Sequence, residues 1–323
     1  MSTETSPGPA PAGAAAPPST KPVVQAGDRI FSGLAKGAGI LILVVLAGVA
    51  AFLIVQAAPA FFAPAEDIPG GAGFLAYVGP LIFGTLLAAL IALLIATPLA
   101  VAVALFITHY APRRLAQGLG YLVDLLAAVP SIIYGLWGAG TLAVAAVPLM
   151  QWLERYLGWI PFFAGPASVT GRTMLVAGLV LAVMILPIIT AVSREVFLQT
   201  PKLHEEAALA LGATRWEMIR MAVLPFGRSG IISGAMLGLG RALGETMAVA
   251  IVLSVSGGIT FNLISNGNPS TIAANIALQF PEASGLTVNV LIASGLVLFL
   301  ITLAVNSIAR YIVNRRREFS GAN

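Results

Sequence analysis

Residues 206–225, EAALALGATRWEMIRMAVLP, form a charged segment between two long apolar runs of the chain. The alanines and leucines before Gly212 favour a helix, which this glycine breaks. Trp216, Ile219 and Met221 then give a second, short amphipathic helix. Two small helices joined at a glycine form a knob that fits a groove on a partner protein. The alternative interpretation is a loop that lies on the membrane domain of its own chain.

The composition excludes an ordinary soluble domain. Of the 323 residues, 58% are hydrophobic and only 9% are charged. The apolar residues stand in runs long enough to cross the hydrocarbon core of a bilayer, about 30 Å thick, as helices. We therefore predict an all-α membrane protein with six transmembrane helices, at residues 38–60, 78–108, 122–150, 172–193, 229–256 and 287–311.

The chain has no cysteine and only two histidines. The lack of cysteine excludes a disulfide framework, a thiol nucleophile and a thiolate metal site. His109 and His204 lack metal-ligand spacing, and we interpret both as surface histidines. We expect neither a metal nor a cofactor.

The basic residues are distributed unequally between the segments that join the spans. If the N-terminus is cytoplasmic, fourteen of the 17 Lys and Arg residues fall in inner segments, and only Arg155 and Arg172 fall in outer loops. The remaining one, Arg241, lies inside a span. This positive-inside distribution predicts that both termini and residues 206–225 are cytoplasmic. Topology thus explains the net charge of +4, and no nucleic-acid partner is expected.

The first 36 residues are rich in Ala, Pro, Ser and Thr and lack apolar periodicity. We predict that residues 1–36 are a disordered cytoplasmic tail. Residues 37–317 then form the transmembrane domain, which includes a cytoplasmic loop at 201–226, and residues 318–323 form a cytoplasmic C-terminal tail. A signal peptide is not expected, because the polar region before the first apolar run is too long.

Prolines interrupt three consecutive predicted spans, at Pro98, Pro130, Pro148 and Pro187. Each proline removes a backbone donor and bends a helix. Inside a membrane such bends are tolerated where neighbouring protein or a cavity satisfies the freed carbonyl groups. The pattern favours a bundle that encloses a pathway over a simple membrane anchor.

The fifth predicted span carries small residues and two charges. Gly230, Gly234 and Gly238 recur every four residues, which lets another helix approach closely. Arg241 and Glu245 are one turn apart on the same predicted helix, so they share a face.

Arg241 lies near the middle of the membrane, because it is 13 residues beyond Arg228, or about 20 Å along a helix. A charge at this depth costs at least about 2.5–3.5 kcal/mol, so it faces protein or water and has a partner nearby. Two interpretations stay open: a structural ion pair with Glu245, or an anion site on a translocation path. We place Asp124, the other acid near a span, at the cytoplasmic interface.

A dispersed pattern in the charged loop consists of Glu206, Ala207, Ala208, Gly212, Leu224 and Pro225. This pattern resembles the EAA loop of ABC importer permeases, in which the loop docks into a groove on a separate ATPase subunit. The resemblance implies that these residues form an ATPase-coupling loop. Ala222 departs from the pattern, which usually has isoleucine there.

A closer resemblance covers residues 78–317. It is carried by LLAAVPSIIYGLWG (125–138), PFGRSGIISGAMLGLGRALGETMAVAIVL (225–253) and GLVLFLITLAVNSIARYIVNRR (295–316). Together these segments resemble the permease subunits of the phosphate-specific (Pst) importer, nearer to the C type than to the A type. The resemblance implies a type I ABC importer permease fold. It also implies that Arg241 and Glu245 are the charged positions of the substrate pathway.

The function implied by the resemblance is ATP-driven import of inorganic phosphate by alternating access, across the bacterial cytoplasmic membrane. The implied partners are a homologous A-type permease, two ATP-binding subunits, an extracytoplasmic phosphate-binding protein and membrane lipid. The chain lacks a GxxxxGK[ST] phosphate loop, so it is expected to be a permease and not an enzyme. Importers of sulfate or molybdate, and ion-coupled secondary transporters, remain alternatives.

Overall fold

Six helical segments of the protein are long and apolar enough to cross a membrane. The computed structural model describes residues 26–317, with side-chain surroundings for residues 27–311. The six segments are Gly27–Phe62, Phe74–Tyr110, Ser131–Leu157, Met174–Leu198, Arg215–Leu243 and Leu286–Tyr311. The predicted all-α fold with six transmembrane helices is therefore confirmed.

Within residues 26–317 the α-helices are α1 (Ala26–Phe62), α2 (Phe74–Leu105), α3 (Arg113–Ala127), α4 (Ser131–Trp137), α5 (Ala143–Leu157), α6 (Met174–Leu198), α7 (Lys202–Ala210), α8 (Arg215–Met218), α9 (Leu224–Leu243), α10 (Met247–Val252), α11 (Ile272–Gln279) and α12 (Leu286–Arg317). Short π-helical stretches at Phe106–Tyr110, Gly138–Leu142 and Ile219–Val223 continue α2, α4 and α8.

The chain divides into two units, residues 1–51 and residues 52–323. In the described part of the first unit, α1 begins at Ala26, so the predicted disordered tail ends earlier than residue 36. The apolar side chains of Ile30 and Leu34 extend the apolar run toward the N-terminus, and both are more than half exposed. Residues 1–25 and 318–323 of the predicted tails lie outside the described residues.

Several predicted span boundaries were wrong, among them the start of the third span and both ends of the fifth, which begins at Arg215 and not at residue 229. The third span begins at Ser131 and not at residue 122, because α3 ends at Ala127 and Pro130 is the N-cap of α4. Pro130 therefore separates two helices, whereas Pro98, Pro148 and Pro187 lie inside helices. The fifth span ends at Leu243 and not at residue 256, because Gly244 is its C-cap.

The helix α6 forms the centre of the core and packs most extensively on α2 and α9. On α2 the contact is made by alanines at four-residue spacing, all at most 1% exposed: Ala88, Ala92, Ala96, Ala100 and Ala104. On α9 it is made by the three predicted glycines. A β-carbon at Gly230 would overlap Val196, and one at Gly238 would lie 3.0 Å from Ile189. The predicted close helix approach is confirmed, with small residues on both partners of α6.

At the end of the bundle where α6 begins, two loops are joined by hydrogen bonds. The fully buried Asn268 is the centre of this contact. Its Nδ2 donates to the carbonyl of Ser265 at 2.9 Å, and its Oδ1 accepts from the backbone N–H of Met174 at 3.1 Å. The backbone N–H of Ser168 also donates to the Ile264 carbonyl at 2.7 Å. These bonds satisfy backbone groups that would otherwise be buried without partners.

Candidate functional site

In the 201–226 segment a short helix, α7, and the start of the fifth helical segment, Arg215–Leu243, lie on either side of a glycine. The predicted glycine break is therefore present, but the prediction of a second short helix was wrong, because that piece continues into α9. Helix α7 ends at Ala210, and Gly212 adopts a φ of +85°. This left-handed conformation costs about 1–2 kcal/mol for a residue with a β-carbon, so glycine is required for backbone reasons. A β-carbon at Gly212 would meet no atom within 4 Å, so space does not restrict the position.

Helix α8 begins with a capping box. The Thr214 hydroxyl accepts from the backbone N–H of Glu217 at 3.3 Å, and Glu217 Oε2 accepts from the backbone N–H of Thr214 at 2.8 Å. These reciprocal bonds satisfy donors at the start of the helix. The sequence Thr-Arg-Trp-Glu at 214–217 is the signal for this helix start, and it explains why the fifth helical segment begins at Arg215.

One side of the 201–226 segment is anchored on the bundle. Met218, Ile219 and Val223 are at most 5% exposed, and they pack in a cluster with Leu105 of α2 and Phe197 of α6. Two of the predicted coupling residues, Ala208 and Leu224, pack against this cluster. These two therefore help to hold the segment on its own membrane domain.

The other side of the segment is open and partly apolar. Leu203, Leu211 and Trp216 are 73%, 90% and 57% exposed. The remaining predicted coupling residues are also exposed: Glu206, Ala207, Gly212 and Pro225. The segment is thus fixed on one side and free on the other, which is the arrangement that docking to a partner requires.

A contact that the sequence analysis missed links α7 to the end of α2. His109 Nε2 lies 3.6 Å from Glu205 Oε1, and the His109 side chain is only 10% exposed. His109 Nδ1 lies 2.6 Å from the hydroxyl of Thr108. The interpretation of His109 as a surface histidine was wrong. No local pattern could have revealed the pair, because its members are far apart in the chain.

A second ion pair joins α3 and α6. Arg194 Nη2 lies 3.7 Å from Asp124 Oδ2, and the Asp124 side chain is 52% exposed. The guanidinium of Arg194 lies so close to Gly120 that a β-carbon there would overlap it. Exposed pairs of this kind contribute about 0–1 kcal/mol, so this contact adds little to the stability of the bundle.

Arg241 lies in the last turn of α9, beside the end of α3. Its Nη1 donates to the carbonyl of Ala127 at 3.4 Å, and the Tyr134 hydroxyl donates to the neighbouring carbonyl of Leu126 at 2.8 Å. The last carbonyl groups of a helix lack partners within the helix and attract a cation. Arg241 makes this one hydrogen bond within the described residues, whereas a guanidinium has five N–H donors.

Glu245 lies beyond the end of α9, so the prediction that it shares a helix face with Arg241 was wrong. The α-helix ends at Leu243 with Gly244 as its C-cap. The Glu245 side chain is 7% exposed, and its Oε1 accepts from the backbone N–H of Ala248 at 3.0 Å. It thereby satisfies a donor in the first turn of α10. Within the described residues, Arg241 and Glu245 do not form an ion pair within 4.0 Å.

The charged break in the fifth segment therefore consists of a cation on one helix end and a buried carboxylate on the next. Such a cation, with most of its donors unused, can receive the oxygens of an anion. In residues 26–317 no group of three or more His, Asp or Glu side chains is placed to hold a metal ion.

Comparison with known proteins places the chain among membrane transport components. Residues 96–318 match the family described as "Binding-protein-dependent transport system inner membrane component". A solved structure of a bacterial ABC transporter involved in the import of the acidic polysaccharide alginate has a similar fold. It is 19% identical with a TM-score of 0.50, and the match covers 89% of this chain and 99% of that chain.

Two curated relatives are much closer in sequence. The phosphate transport system permease protein PstC 2 of Mycobacterium tuberculosis is 46% identical over 91% of this chain and 97% of its own length. The PstC protein of Mesorhizobium japonicum is 40% identical over 91% of this chain and 92% of its own length. The chain therefore belongs to the family of inner membrane components of binding-protein-dependent transport systems, and within that family to the PstC-type permeases.

Proposed function

We propose that this chain is the C-type permease subunit of an ATP-driven importer that carries inorganic phosphate into the cytoplasm by alternating access. The observation that supports an anionic substrate is Arg241, a membrane-embedded arginine that uses one of its five donors within the described residues. The names of the curated relatives support phosphate as that anion. Membership in a binding-protein-dependent family argues against an ion-coupled secondary transporter.

The proposed assembly contains a homologous A-type permease, a pair of ATP-binding subunits and an extracytoplasmic phosphate-binding protein. The ATP-binding subunits dock on the exposed side of the 201–226 segment, where Leu203, Leu211 and Trp216 present apolar surface. Apolar side chains of this size are typical anchors in a partner's groove. The small, exposed Ala207 beside them permits close approach.

Movement of the docked segment reaches the bundle by two contacts. The buried cluster of Met218, Ile219 and Val223 joins it to α2 and α6. The His109–Glu205 pair joins α7 to the end of α2. Because Arg215–Leu243 is one helical segment, a shift of its start also moves the helix that carries Arg241 directly, and α6 packs on that helix through glycines.

Transport by the reconstituted four-protein system tests this function. Vesicles that contain the complex should take up labelled phosphate only when ATP is present on the side of the membrane that carries the ATP-binding subunits. Unlabelled sulfate and molybdate in excess should not compete. Arg241→Gln should abolish uptake, whereas Arg114→Gln, at an exposed arginine on α3, should leave it unchanged. Competition by sulfate as strong as by phosphate would reassign the substrate to another oxyanion.

The proposed orientation places both termini and the 201–226 segment in the cytoplasm. Because the chain has no cysteine, single cysteines report the side of the membrane directly. Ile259→Cys and Leu211→Cys suit this purpose, since the two side chains are 59% and 90% exposed. An impermeant maleimide should label position 259 in intact cells and position 211 only in inverted vesicles from which the ATP-binding subunits are absent. The opposite pattern would reverse the orientation and remove the docking proposal with it.

A further inference from the structure

A cavity of about 510 Å³ lies between α9 and α12, and the transport function proposed above does not use it. From α9 its lining includes Met236, Leu237 and Gly240, and from α12 it includes Asn306 and Arg310. Leu237 is 59% exposed, so the apolar wall is open to the surroundings. The cavity is therefore a groove that is open at the surface of this chain.

The polar groups of the groove are gathered at one end. Asn306 and Arg310 are four residues apart on α12 and so lie on the same face. Arg310 has no carboxylate partner among the described residues, where the ion pairs are His109–Glu205 and Asp124–Arg194. Ser233 on α9 already donates its hydroxyl proton to the Ser229 carbonyl at 2.9 Å. The available donors are therefore those of α12.

The groove extends from the end of a span toward the middle of the membrane. Arg310 is next to the end of the segment Leu286–Tyr311. From Ser233 to Gly240 the groove follows α9 for seven residues, or about 10 Å. A groove with a cation at the membrane surface and an apolar wall leading inward fits an amphiphile with a charged head and an apolar chain.

We propose that this groove binds an anionic phospholipid such as phosphatidylglycerol, with its phosphodiester against Arg310 and an acyl chain along Met236 and Leu237. Basic pockets between membrane helices are suited to such headgroups. A homologous permease subunit is a poorer occupant, because positive-inside topology gives it basic residues at the same depth. The proposal requires a membrane-spanning chain but does not depend on which substrate is transported.

Native mass spectrometry of the full-length chain, purified in mild detergent, measures this binding. Phosphatidylglycerol should be retained in preference to phosphatidylcholine. Arg310→Gln should weaken phosphatidylglycerol binding about fivefold, the effect of one basic residue at a membrane surface. The matched control Arg114→Gln removes an exposed arginine outside the groove and should have no effect. Equal retention of the two lipids, or unchanged binding by Arg310→Gln, would overturn the proposal.

A second variant fills the groove without removing charge. A β-carbon at Gly240 would meet no atom within 4 Å, so Gly240→Leu places its side chain in open space. The folded variant, checked by its thermal transition, should lose the bound phosphatidylglycerol. Retention of the lipid by this variant would place the lipid elsewhere.

Two further measurements separate the lipid from other occupants. Inorganic phosphate at millimolar concentration should not displace phosphatidylglycerol, and displacement would assign the groove to the substrate path. In the assembled complex, a single cysteine at Leu237→Cys should react with a lipid-soluble maleimide. Cross-linking of that cysteine to another subunit, with no reaction with the maleimide, would show that protein covers the groove and would refute lipid binding.

Discussion

The 201–226 segment and the break after Leu243 both join two helices, yet the first exposes apolar side chains and the second buries a charged one. The segment presents Leu211 and Trp216 to the surroundings, 90% and 57% exposed. The break keeps the charged Glu245 at 7% exposure and bonds it to a helix end. Apolar surface outside and charge inside are each costly alone. The proposed function explains the first by a protein partner, whereas the buried carboxylate of Glu245 is stabilised by the backbone N–H of Ala248.

The two regions also differ in how the chain turns. At Gly212 the turn follows from one backbone angle of +85°, which glycine adopts without strain. At Gly244 the helix ends with an ordinary negative φ of −91°, so the residue does not require glycine for its conformation. There the break is stabilised by groups on other elements, such as the Ala127 carbonyl that accepts from Arg241. The break therefore depends on tertiary contacts, whereas the turn at Gly212, the elbow, follows from the local backbone conformation.

The largest effect is expected from Arg241→Lys, which keeps the positive charge but removes the planar guanidinium that can donate two parallel hydrogen bonds. A hydrogen bond to a charged group contributes about 1.5–3 kcal/mol, so phosphate uptake should fall about 10- to 100-fold. Uptake by reconstituted vesicles measures this, with Arg114→Lys as the control. Wild-type uptake by Arg241→Lys would mean that the break does not receive the substrate through a guanidinium.

The next effect is expected at the elbow. Gly212→Ala should reduce coupled transport about tenfold, because the left-handed conformation costs about 1–2 kcal/mol with a β-carbon. Gly212→Trp adds bulk on the exposed side and should leave ATP hydrolysis by the complex uncoupled from uptake. Membrane insertion should be normal in both, as measured by the amount of chain in the membrane fraction. Full coupling in Gly212→Trp would exclude docking at the elbow.

A smaller effect separates the two possible roles of Glu245. Glu245→Gln keeps an acceptor for the Ala248 N–H, whereas Glu245→Leu removes it. Loss of such a cap costs about 0.5–2 kcal/mol, so only the leucine variant should lower the thermal transition. If sulfate uptake rises in Glu245→Gln, the carboxylate discriminates between anions by its charge. Unchanged selectivity with normal stability would leave capping as its role.

The smallest effect is expected for the link between α7 and α2. A double-mutant cycle of His109→Gln and Glu205→Gln should give a coupling energy of about 0.2–1 kcal/mol in ATP-dependent uptake. The exposed His204 supplies the control, since His204→Gln should be additive with Glu205→Gln. Strict additivity of the His109 and Glu205 variants would show that the pair does not transmit movement.

The hydropathy of the chain predicted the six spans, because a membrane requires long apolar helices and each such run is visible locally. The turn at Gly212 was equally predictable, since α7 ends and α8 begins at residues whose chemistry acts within a few positions. The glycine at 212 and the alanines before it are sufficient to predict the elbow. The glycines on α9 likewise predicted a close helix contact, although not that α6 would be its partner.

The sequence alone determined the fold class, the number of spans and the position of the elbow, because these depend on composition and on neighbours in the chain. Only the tertiary structure decided that α9 ends before Glu245, that Arg241 bonds to the end of α3, and that His109 meets Glu205. For Arg241 and His109 the deciding partner lies on a helix that is distant in the chain, and helical periodicity carries no information about groups that come together only when helices pack.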